Sequence, residues 1–336
     1  GNASEDAPNV EDVFSTYLYE GSGSETITNG IDLSGEGGLV WIKSRGSSYS
    51  SYLADTERGV NKRLSTNLTN GEASHTGVSA FNSDGFTLSS SDGVSSASPW
   101  GGPYASWTFR KAPRFFDVVT YSGSSSAQTI SHNLGVVPGF IIVKVTNEAN
   151  NWTCYHRSLG SGAVLELNNT DAKQTRNYWD NTSPTSTQFT VANDSSVNTS
   201  GNSYVAYLFA HDPDGENDDG MIACGSYTAD GNDQTISLGW EPQWLLAKRT
   251  TAASDWWLID TMRNWNTNVD DYLKPNSSNQ EDNGNTDGYP TADGFVIKGS
   301  GNMGVNYAST NQTIVYMAIR APMMKEPESG SEVFNL

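Results

Sequence analysis

The chain has 336 residues, of which 35% are hydrophobic and 11% aromatic, and its formal net charge is −19. This acidic balance argues against nucleic acid as a partner, because phosphate contacts need clustered Lys and Arg. The sequence also lacks an apolar run of the roughly 18 residues that a membrane-spanning helix requires, so we expect no membrane insertion.

A repeated pattern divides most of the chain into three units. The runs YASWTFRKAP, YVAYLFAHDP and TIVYMAIRAP all mix aromatic with aliphatic residues and close at a proline: Pro113, Pro213 and Pro322. Upstream of each run an isoleucine, a lysine and a phenylalanine recur in the same order: Ile27, Lys43 and Phe86; Ile130, Lys144 and Phe189; Ile236, Lys248 and Phe295. Such order is the signature of an internal structural repeat.

In chain order, we predict six segments. They are an N-terminal docking segment (1–13), a first unit (14–115), a second unit (116–215), an acidic linker (216–220), a third unit (221–323) and a C-terminal tail (324–336). Either terminal segment would dock onto a neighbouring chain.

Within each unit the pattern predicts β-strands. The stretch GLVWIKSR is typical of a buried strand, and Asn29-Gly30, Asp84-Gly85 and Asp293-Gly294 mark hairpin turns. A unit of about 100 residues with short strands has the size of a β-sandwich. We therefore predict an all-β fold of three tandem antiparallel, jelly-roll-like β-sandwich domains in an elongated chain. Each proline-ended run would be the last core strand of its unit, because proline stops strand pairing.

The acidic stretch DPDGENDDG is a candidate calcium site. Alternate carboxylates on a turning loop can supply several of the hard oxygens that Ca²⁺ prefers. The candidate ligands are Asp212, Asp214, Glu216, Asp218 and Asp219. The other interpretation is a solvated linker whose charges keep two units apart. A second acidic loop, Glu281 to Asp287, is a weaker calcium candidate. Apart from structural Ca²⁺, we expect no cofactor.

Tryptophans of the third unit are the candidate ligand-binding residues. Trp256, Trp257 and Trp265 could stack on sugar rings, although most Trp in a sandwich belongs to the core. Since neighbours on a strand point to opposite faces, either Trp256 or Trp257 should face outward or into a neighbouring subunit. Subunit packing is the favoured interpretation of that residue, and a host-surface glycan is the alternative.

Catalytic motifs are missing from the sequence. The spacings of zinc sites, of nucleophile elbows and of phosphate loops do not occur, so we predict that the chain is not an enzyme. Glycoside hydrolysis needs paired carboxylates in a cleft, and the pairs Asp55/Glu57 and Asp255/Asp260 could supply them. Asp55 and Asp260, however, occupy equivalent repeat positions, which fits a structural hydrogen bond. Two cysteines in different units, Cys154 and Cys224, are expected to be reduced.

The phrases GLVWIKSR, DTERGVNKRLSTN, FNSDGFTL and WTFRKAPRFFDVVTYSG resemble modules of tail-fibre and other virion structural proteins of tailed bacteriophages, marine ones in particular. The first unit matches these phrases closely. The second departs from them in its middle, with NWTCYHRSLGSG, and the third carries a longer insert, SSNQEDNGNTDGYP. The resemblance implies a β-rich appendage or capsid-surface protein located in the virion.

Taken together, these features predict a non-enzymatic virion structural protein, in a tail fibre, another appendage or a capsid-surface fibre, that mediates adhesion to the host surface. Its expected partners are other virion proteins and further copies of itself, since fibres are usually homo-oligomeric. Two alternatives stay open: a carbohydrate-binding or polysaccharide-depolymerising protein, and a secreted cellular adhesin or filament subunit.

Overall fold

A computed structural model describes residues 8–89, 93–96, 102–215, 219–285, 287–299 and 312–322. It contains 46% strand and 2% helix, which confirms the predicted all-β fold class. None of the helices in these ranges has the length and hydropathy needed to cross a bilayer.

The first unit opens with a four-residue helix, α1 (Val10–Val13), and continues as strands. Its strands are β1 (Phe14–Tyr19), β2 (Glu25–Thr28), β3 (Gly38–Ser44), β4 (Tyr52–Asp55), β5 (Lys62–Arg63), β6 (Ala73–Ser74), β7 (Val78–Asn82), β8 (Gly85–Leu88) and β9 (Tyr104–Arg110). A larger sheet has the strand order β1-β9-β3-β4, a smaller one has the order β2-β8-β7, and β5 pairs with β6.

The second unit has one large sheet and one small sheet. Its strands are β10 (Phe116–Ser122), β11 (Gln128–Ser131), β12 (Pro138–Val145), β13 (Thr153–His156), β14 (Ala163–Glu166), β15 (Gln174–Thr175), β16 (Gln188–Val191) and β17 (Ser203–Ala210). The large sheet runs β10-β17-β12-β13-β14-β15, and β11 pairs with β16.

The third unit repeats this plan and adds a 3₁₀ helix, Thr261–Arg263, after its fourth strand. Its strands are β18 (Ile222–Ala229), β19 (Gln234–Ser237), β20 (Pro242–Arg249), β21 (Trp256–Asp260), β22 (Asp270–Tyr272), β23 (Asp282–Asn285), β24 (Gly288–Thr291), β25 (Gly294–Ile297) and β26 (Gln312–Arg320). Its sheets run β18-β26-β20-β21, β19-β25-β24 and β22-β23.

One topology therefore occurs three times. In every unit the last strand lies between the first and third strands, the fourth strand flanks the third, and the second strand pairs with the next-to-last. The proline-ended runs form β9, β17 and β26, as predicted. Equivalent cross-strand pairs fix the alignment of the units: Leu39 with Phe109, Phe140 with Phe209, and Trp244 with Ile319.

The Asp-Gly-Phe phrases of the first and third units have a backbone reason. Gly85 has φ 148°, and a Cβ atom there would lie 2.0 Å from the carbonyl oxygen of Ile27. Gly294 has φ 156° and approaches the carbonyl of Ile236 to the same 2.0 Å. Only glycine fits such a conformation and such a close approach. The second unit has Gln188 at this register position.

The third strand of each unit is buried on both faces, and this arrangement determines the whole fold. Along β3, Leu39 and Trp41 belong to one apolar cluster, while Val40 and Ile42 belong to another. The second cluster fills the space between the large and small sheets of the first unit. Because strands buried on both faces lack the usual apolar-polar alternation, the continuous run GLVWI follows from this double burial.

The other faces of the three large sheets meet in a single central core. This core contains residues of every unit, among them Trp107 and Phe109 of the first, Phe140 and Phe209 of the second, and Trp244, Leu246 and Met317 of the third. The prediction of an elongated chain is therefore wrong. The prediction fails because the large sheet of each unit has a second apolar face, which the small sheet of the same unit does not cover.

The terminal segments are described only in part. Within the predicted docking segment, Val10 and Val13 of α1 are buried in the central core of the chain itself. Residues 1–7 and the predicted tail, 324–336, lie outside the described residues.

Candidate functional site

The contact between the third and first units, here termed the closing seam, is built around a buried ion pair. Asp260 accepts the Arg263 backbone N–H at 3.0 Å through Oδ1 and the Arg263 Nε at 2.7 Å through Oδ2. Trp107 of the first unit donates its indole Nε1–H to the same Oδ2 at 2.9 Å. The guanidinium Cζ of Arg263 lies 5.2 Å from the centroid of the Trp107 ring. Since both charged side chains are fully buried, loss of either partner would leave an uncompensated charge.

An equivalent arrangement joins the first and second units at the first seam. Asp55 accepts the Arg58 backbone N–H at 2.9 Å and the Arg58 Nε at 2.6 Å. Tyr207 of the second unit donates its hydroxyl to Asp55 Oδ2 at 2.8 Å. Tyr207 and Trp107 occupy matching positions, because each lies two residues before the phenylalanine that pairs with the third strand of its unit.

The second seam, between the second and third units, has a histidine where the other two have aspartate. His156 Nδ1 accepts the Ser158 N–H at 3.2 Å, so Nε2 carries the proton and donates to the Tyr316 carbonyl at 3.0 Å. Burial lowers the pKa of His156 to about 4. The neutral imidazole thus replaces a charged pair, and it contacts backbone in place of a side chain.

A ring of backbone hydrogen bonds closes the three units on one another. Their donors and acceptors are Glu72 N–H to Thr146 O at 2.5 Å, Lys173 N–H to Thr250 O at 2.9 Å, and Glu281 N–H to Arg45 O at 2.9 Å. The bonds run from the first unit to the second, from the second to the third, and from the third back to the first. The units therefore form a closed ring.

The repeated lysines strengthen two of these seams. Lys144 Nζ donates to Thr69 O of the first unit and to Asn150 O, both at 2.9 Å. Lys248 Nζ donates at 3.0 Å to Thr170 O of the second unit. Burial lowers the pKa of each of these two lysines to about 8. In the second and third units this lysine therefore reaches a carbonyl of the preceding unit, whereas Lys43 of the first unit donates to Tyr49 O of its own unit.

The tryptophans predicted to bind ligand are interior residues. Trp256, Trp257 and Trp265 are 2%, 7% and 1% exposed. The expectation that Trp256 or Trp257 faces outward is therefore wrong, since one ring enters the third unit and the other the central core. Trp256 donates its Nε1–H to Glu166 O of the second unit at 3.0 Å, just as Trp152 bonds Ser65 O of the first. The sequence pointed to packing against a neighbouring subunit, and the neighbour is a unit of the same chain.

The predicted calcium loop does not gather its carboxylates within the described residues. Asp212 forms an ion pair with Arg114 at 2.6 Å, and its backbone N–H donates to Ile222 O. Asp214 is exposed, Asp219 is half-buried, and Glu216 and Asp218 lie outside the described residues. In the ranges that are described, no three His, Cys, Asp or Glu side chains converge as a metal-binding group. Asp212, near the end of the second unit, instead bonds Arg114 of the first unit and Ile222 of the third.

A polar cavity of about 330 Å³ opens at the closing seam. It is lined by Ser48 of the first unit and by residues of the third: Tyr272, Lys274, Asn279, Gln280, Glu281, Asp282 and Asn283. The ring of Trp257 lies behind this wall, with its centroid 4.7 Å from that of Tyr272. Hydroxyl, amide, ammonium and carboxylate groups therefore surround one opening, with aromatic rings beneath them.

Two buried carboxylates lie close to this cavity. Asp270 begins β22 and Asp287 precedes β24, and their residues are 0% and 1% exposed. Asp270 Oδ2 accepts the N–H of Asp287 at 2.7 Å and that of Gly288 at 3.0 Å. Burial, together with the charge of Asp287, raises the pKa of Asp270 to about 6. The acidic loop visible in the sequence contains Asp287, but no local pattern marks Asp270, which is brought to Asp287 by the pairing of β22 with β23.

A profile of the family described as a domain of unknown function, DUF7483, matches residues 9–322. The chain belongs to the DUF7483 family. Among curated proteins, a search finds no match to the chain. The match begins at Asn9, the N-cap of α1, and ends two residues after β26. The DUF7483 domain thus comprises all three units together, as a closed ring requires.

The inter-unit contacts were only partly visible in the sequence. The phrases DTER and DTMR place an arginine three residues after Asp55 and Asp260, and this spacing could reveal the local ion pairs. The partners from the next unit, Trp107 and Tyr207, are more than 140 residues distant and follow no local pattern.

Proposed function

We propose that this DUF7483 domain is a non-enzymatic structural protein of a bacteriophage virion, located in a tail fibre, another appendage or a capsid-surface fibre. The observation that carries the proposal is the closed ring of backbone hydrogen bonds at the three seams. A body closed in this way is rigid, because no unit can swing away without breaking two seams. Rigid bodies of tandem β units suit a particle surface, and the resemblance to phage appendage modules supports that location.

The hydrogen bonds made by the buried carboxylates Asp55 and Asp260 support a structural role. Asp55 and Asp260, one member of each carboxylate pair considered for glycoside hydrolysis, are 0% exposed, and each bonds an arginine of its own unit and an aromatic side chain of the next unit. A catalytic carboxylate needs access to substrate. These two act instead as inter-unit joints.

Adhesion to the host surface is the second part of the proposal. The closing-seam cavity, lined by amides, a tyrosine, a lysine and carboxylates, favours a polar ligand such as a surface glycan. Sugar recognition uses such hydrogen-bonding groups to fix orientation. Partners would thus include host glycans, other virion proteins and further copies of this chain.

Immunoelectron microscopy tests the location. Antibodies raised against the DUF7483 domain should label an appendage or the capsid surface of purified virions. Labelling of secreted cellular filaments, with none on virions, would overturn the proposal in favour of a cellular adhesin.

Incubation with host polysaccharide tests the activity. Retention of the protein without new reducing ends supports adhesion, whereas release of reducing ends would show a depolymerase. The variants Gln280→Ala and Asn283→Ala, which truncate the cavity wall, should reduce retention, and Asn147→Ala on another surface should not.

A further inference from the structure

The buried carboxylates Asp270 and Asp287 take no part in the seam contacts described above, and two acidic groups buried close together favour a positive charge beside them. Removing two carboxylates from water is costly unless a cation or a proton neutralises them. The Oδ1 atom of Asp270 is buried and has no hydrogen-bond partner among the described residues. A carboxylate oxygen in that condition is available to a ligand.

Basic side chains of the third unit are committed elsewhere. Lys274 pairs with Asp255 at 3.0 Å, Lys298 with Asp233 at 2.5 Å, and Arg263 with Asp260 and Glu281. No ion pair of Asp270 occurs in the described part of the chain. Within the described residues, therefore, the Asp270 carboxylate has no cationic side chain as a partner.

A third carboxylate lies nearby, so the negative potential is concentrated at one place. Tyr272, two residues after Asp270, donates its hydroxyl to Asp282 at 2.7 Å. Burial, the bond to Asp282 and the charges of Asp282, Asp287 and Asp270 all raise the pKa of the Tyr272 hydroxyl. Asp271 takes no part, because it bonds Asn264 at 2.7 Å.

We propose that Asp270 and Asp287 bind a calcium ion between β22 and β24. Calcium accepts irregular sets of carboxylate and backbone carbonyl oxygens, whereas magnesium keeps several waters, for which a site this deeply buried has little space. The two carboxylates would supply the charge, and backbone carbonyls would complete the shell. The ion would hold together the loop that lines the closing-seam cavity.

Thermal unfolding of the full chain at pH 7.5 tests this site. After chelation, added calcium should raise the Tm of the native protein by at least about 2 °C, because an ion that binds only the folded state stabilises it. Asp270→Asn, which keeps the shape of the side chain, should abolish the response. Asp117→Asn is the matched control, since Asp117 is also buried and accepts two backbone N–H groups, and it should respond like the native protein.

Terbium luminescence provides a second measurement that does not depend on the stability of a variant. Terbium replaces calcium, and excitation of Tyr272 and Trp257 should sensitise its emission, which calcium should then quench by competition. Absence of both the Tm response and the emission overturns the proposal. The proposal is also overturned if calcium leaves the Tm unchanged while acidification to pH 6 raises it. That result would show that Asp270 and Asp287 share a proton instead of binding an ion.

Discussion

The indole N–H of Trp107 donates to the carboxylate of Asp260 at 2.9 Å, and this bond joins the first unit of the chain to the third across 153 positions of sequence. Arg263 lies against both partners, as an ion-pair partner of Asp260 and over the face of the Trp107 ring. The three side chains form one buried network, so a change in any of them acts on the closure of the whole ring.

Replacing Trp107 by phenylalanine should destabilise the protein more than replacing Trp41. Trp107→Phe leaves the Asp260 carboxylate short of one donor, which costs about 1–3 kcal/mol in addition to the lost ring volume. Trp41 packs edge-on against Trp107 in the same core, and its Nε1 has no partner in the described residues. Trp41→Phe is therefore the control for ring size. Urea unfolding measures both, and equal losses would show that the hydrogen bond contributes nothing.

A comparison of the seams predicts how Arg263 can be replaced. Arg263→Leu leaves the Asp260 charge buried and unpaired, and should cost about 3–5 kcal/mol. The second unit carries His156 and Leu159 at the corresponding positions and uses no charge there. We therefore expect the double variant Asp260→His/Arg263→Leu to be more stable than the single variant in urea unfolding. A double variant that is less stable than the single one would show that the charged pair has no neutral substitute.

The fold class and the repeat could be predicted from the sequence because both depend on local signals. Strand periodicity, Asp-Gly turns and proline-ended runs are each readable within about ten residues. The lysines Lys144 and Lys248 also appeared as repeat markers before their partners were known. Their partners in the preceding unit are the backbone carbonyls of Thr69 and Thr170, which carry no sequence signal.

The arrangement of the units could not be predicted, because it depends on which sheet faces meet. Leu39 and Trp41 indicate a buried strand, but they do not say whether the covering surface belongs to the same unit, to another unit or to another chain. The candidate site shows the same limit. The sequence predicted that either Trp256 or Trp257 packs against a neighbouring subunit but did not decide which, and the burial of both excludes the sugar stacking that the sequence also allowed.

Acidification should weaken the second seam through His156. The folded-state pKa of His156 is about 4, below the ordinary 6.5, so the unfolded chain binds more protons between these values. Stability is fully present above pH 6.5 and falls as the pH is lowered towards 4, by up to roughly 3 kcal/mol for this residue. His156→Gln, which can still donate to the Tyr316 carbonyl, should show a shallower loss in Tm between pH 6.5 and 4.5.

Other groups titrate in this range and must be separated from His156. Burial lowers the pKa of His211 to about 4 and also lowers the pKa of His132. Both histidines therefore weaken the fold on acidification and should leave a residual slope in the His156 variant. Asp270 acts in the opposite direction, because its raised pKa means that the folded state gains a proton first. The pH profile of Asp270→Asn in calcium-free buffer should therefore be steeper than that of the native protein. Identical profiles for His156→Gln and the native protein would contradict the role of His156.

Removing the Lys144 ammonium should loosen the first seam selectively. Lys144→Met leaves the carbonyls of Thr69 and Asn150 without this donor, and the nearby Glu72 amide, which bonds Thr146 O, should exchange its hydrogen faster. Lys62→Met is the control, since the Lys62 side chain is 47% exposed and pairs with Glu72 at 3.1 Å, so its loss should change stability by less than about 0.5 kcal/mol. Hydrogen exchange at the Lys173 amide reports on the second seam and should stay unchanged in both variants. A uniform change at all seams would indicate global destabilisation instead.

A single unit cut from the ring should not fold as a stable domain. Residues 14–115 alone would expose one face of their large sheet to water, including Leu39, Trp41, Trp107 and Phe109. At about 1.5–3 kcal/mol for each large apolar side chain, the lost burial is comparable to the entire stability of an ordinary domain. The fragment should therefore bind hydrophobic dyes and unfold without a cooperative transition. Mixing fragments 8–215 and 219–322 should restore cooperativity, because their seams are complementary. A cooperative transition of residues 14–115 in isolation would instead show that each unit is an autonomous sandwich, and that the central core joins domains that were already complete.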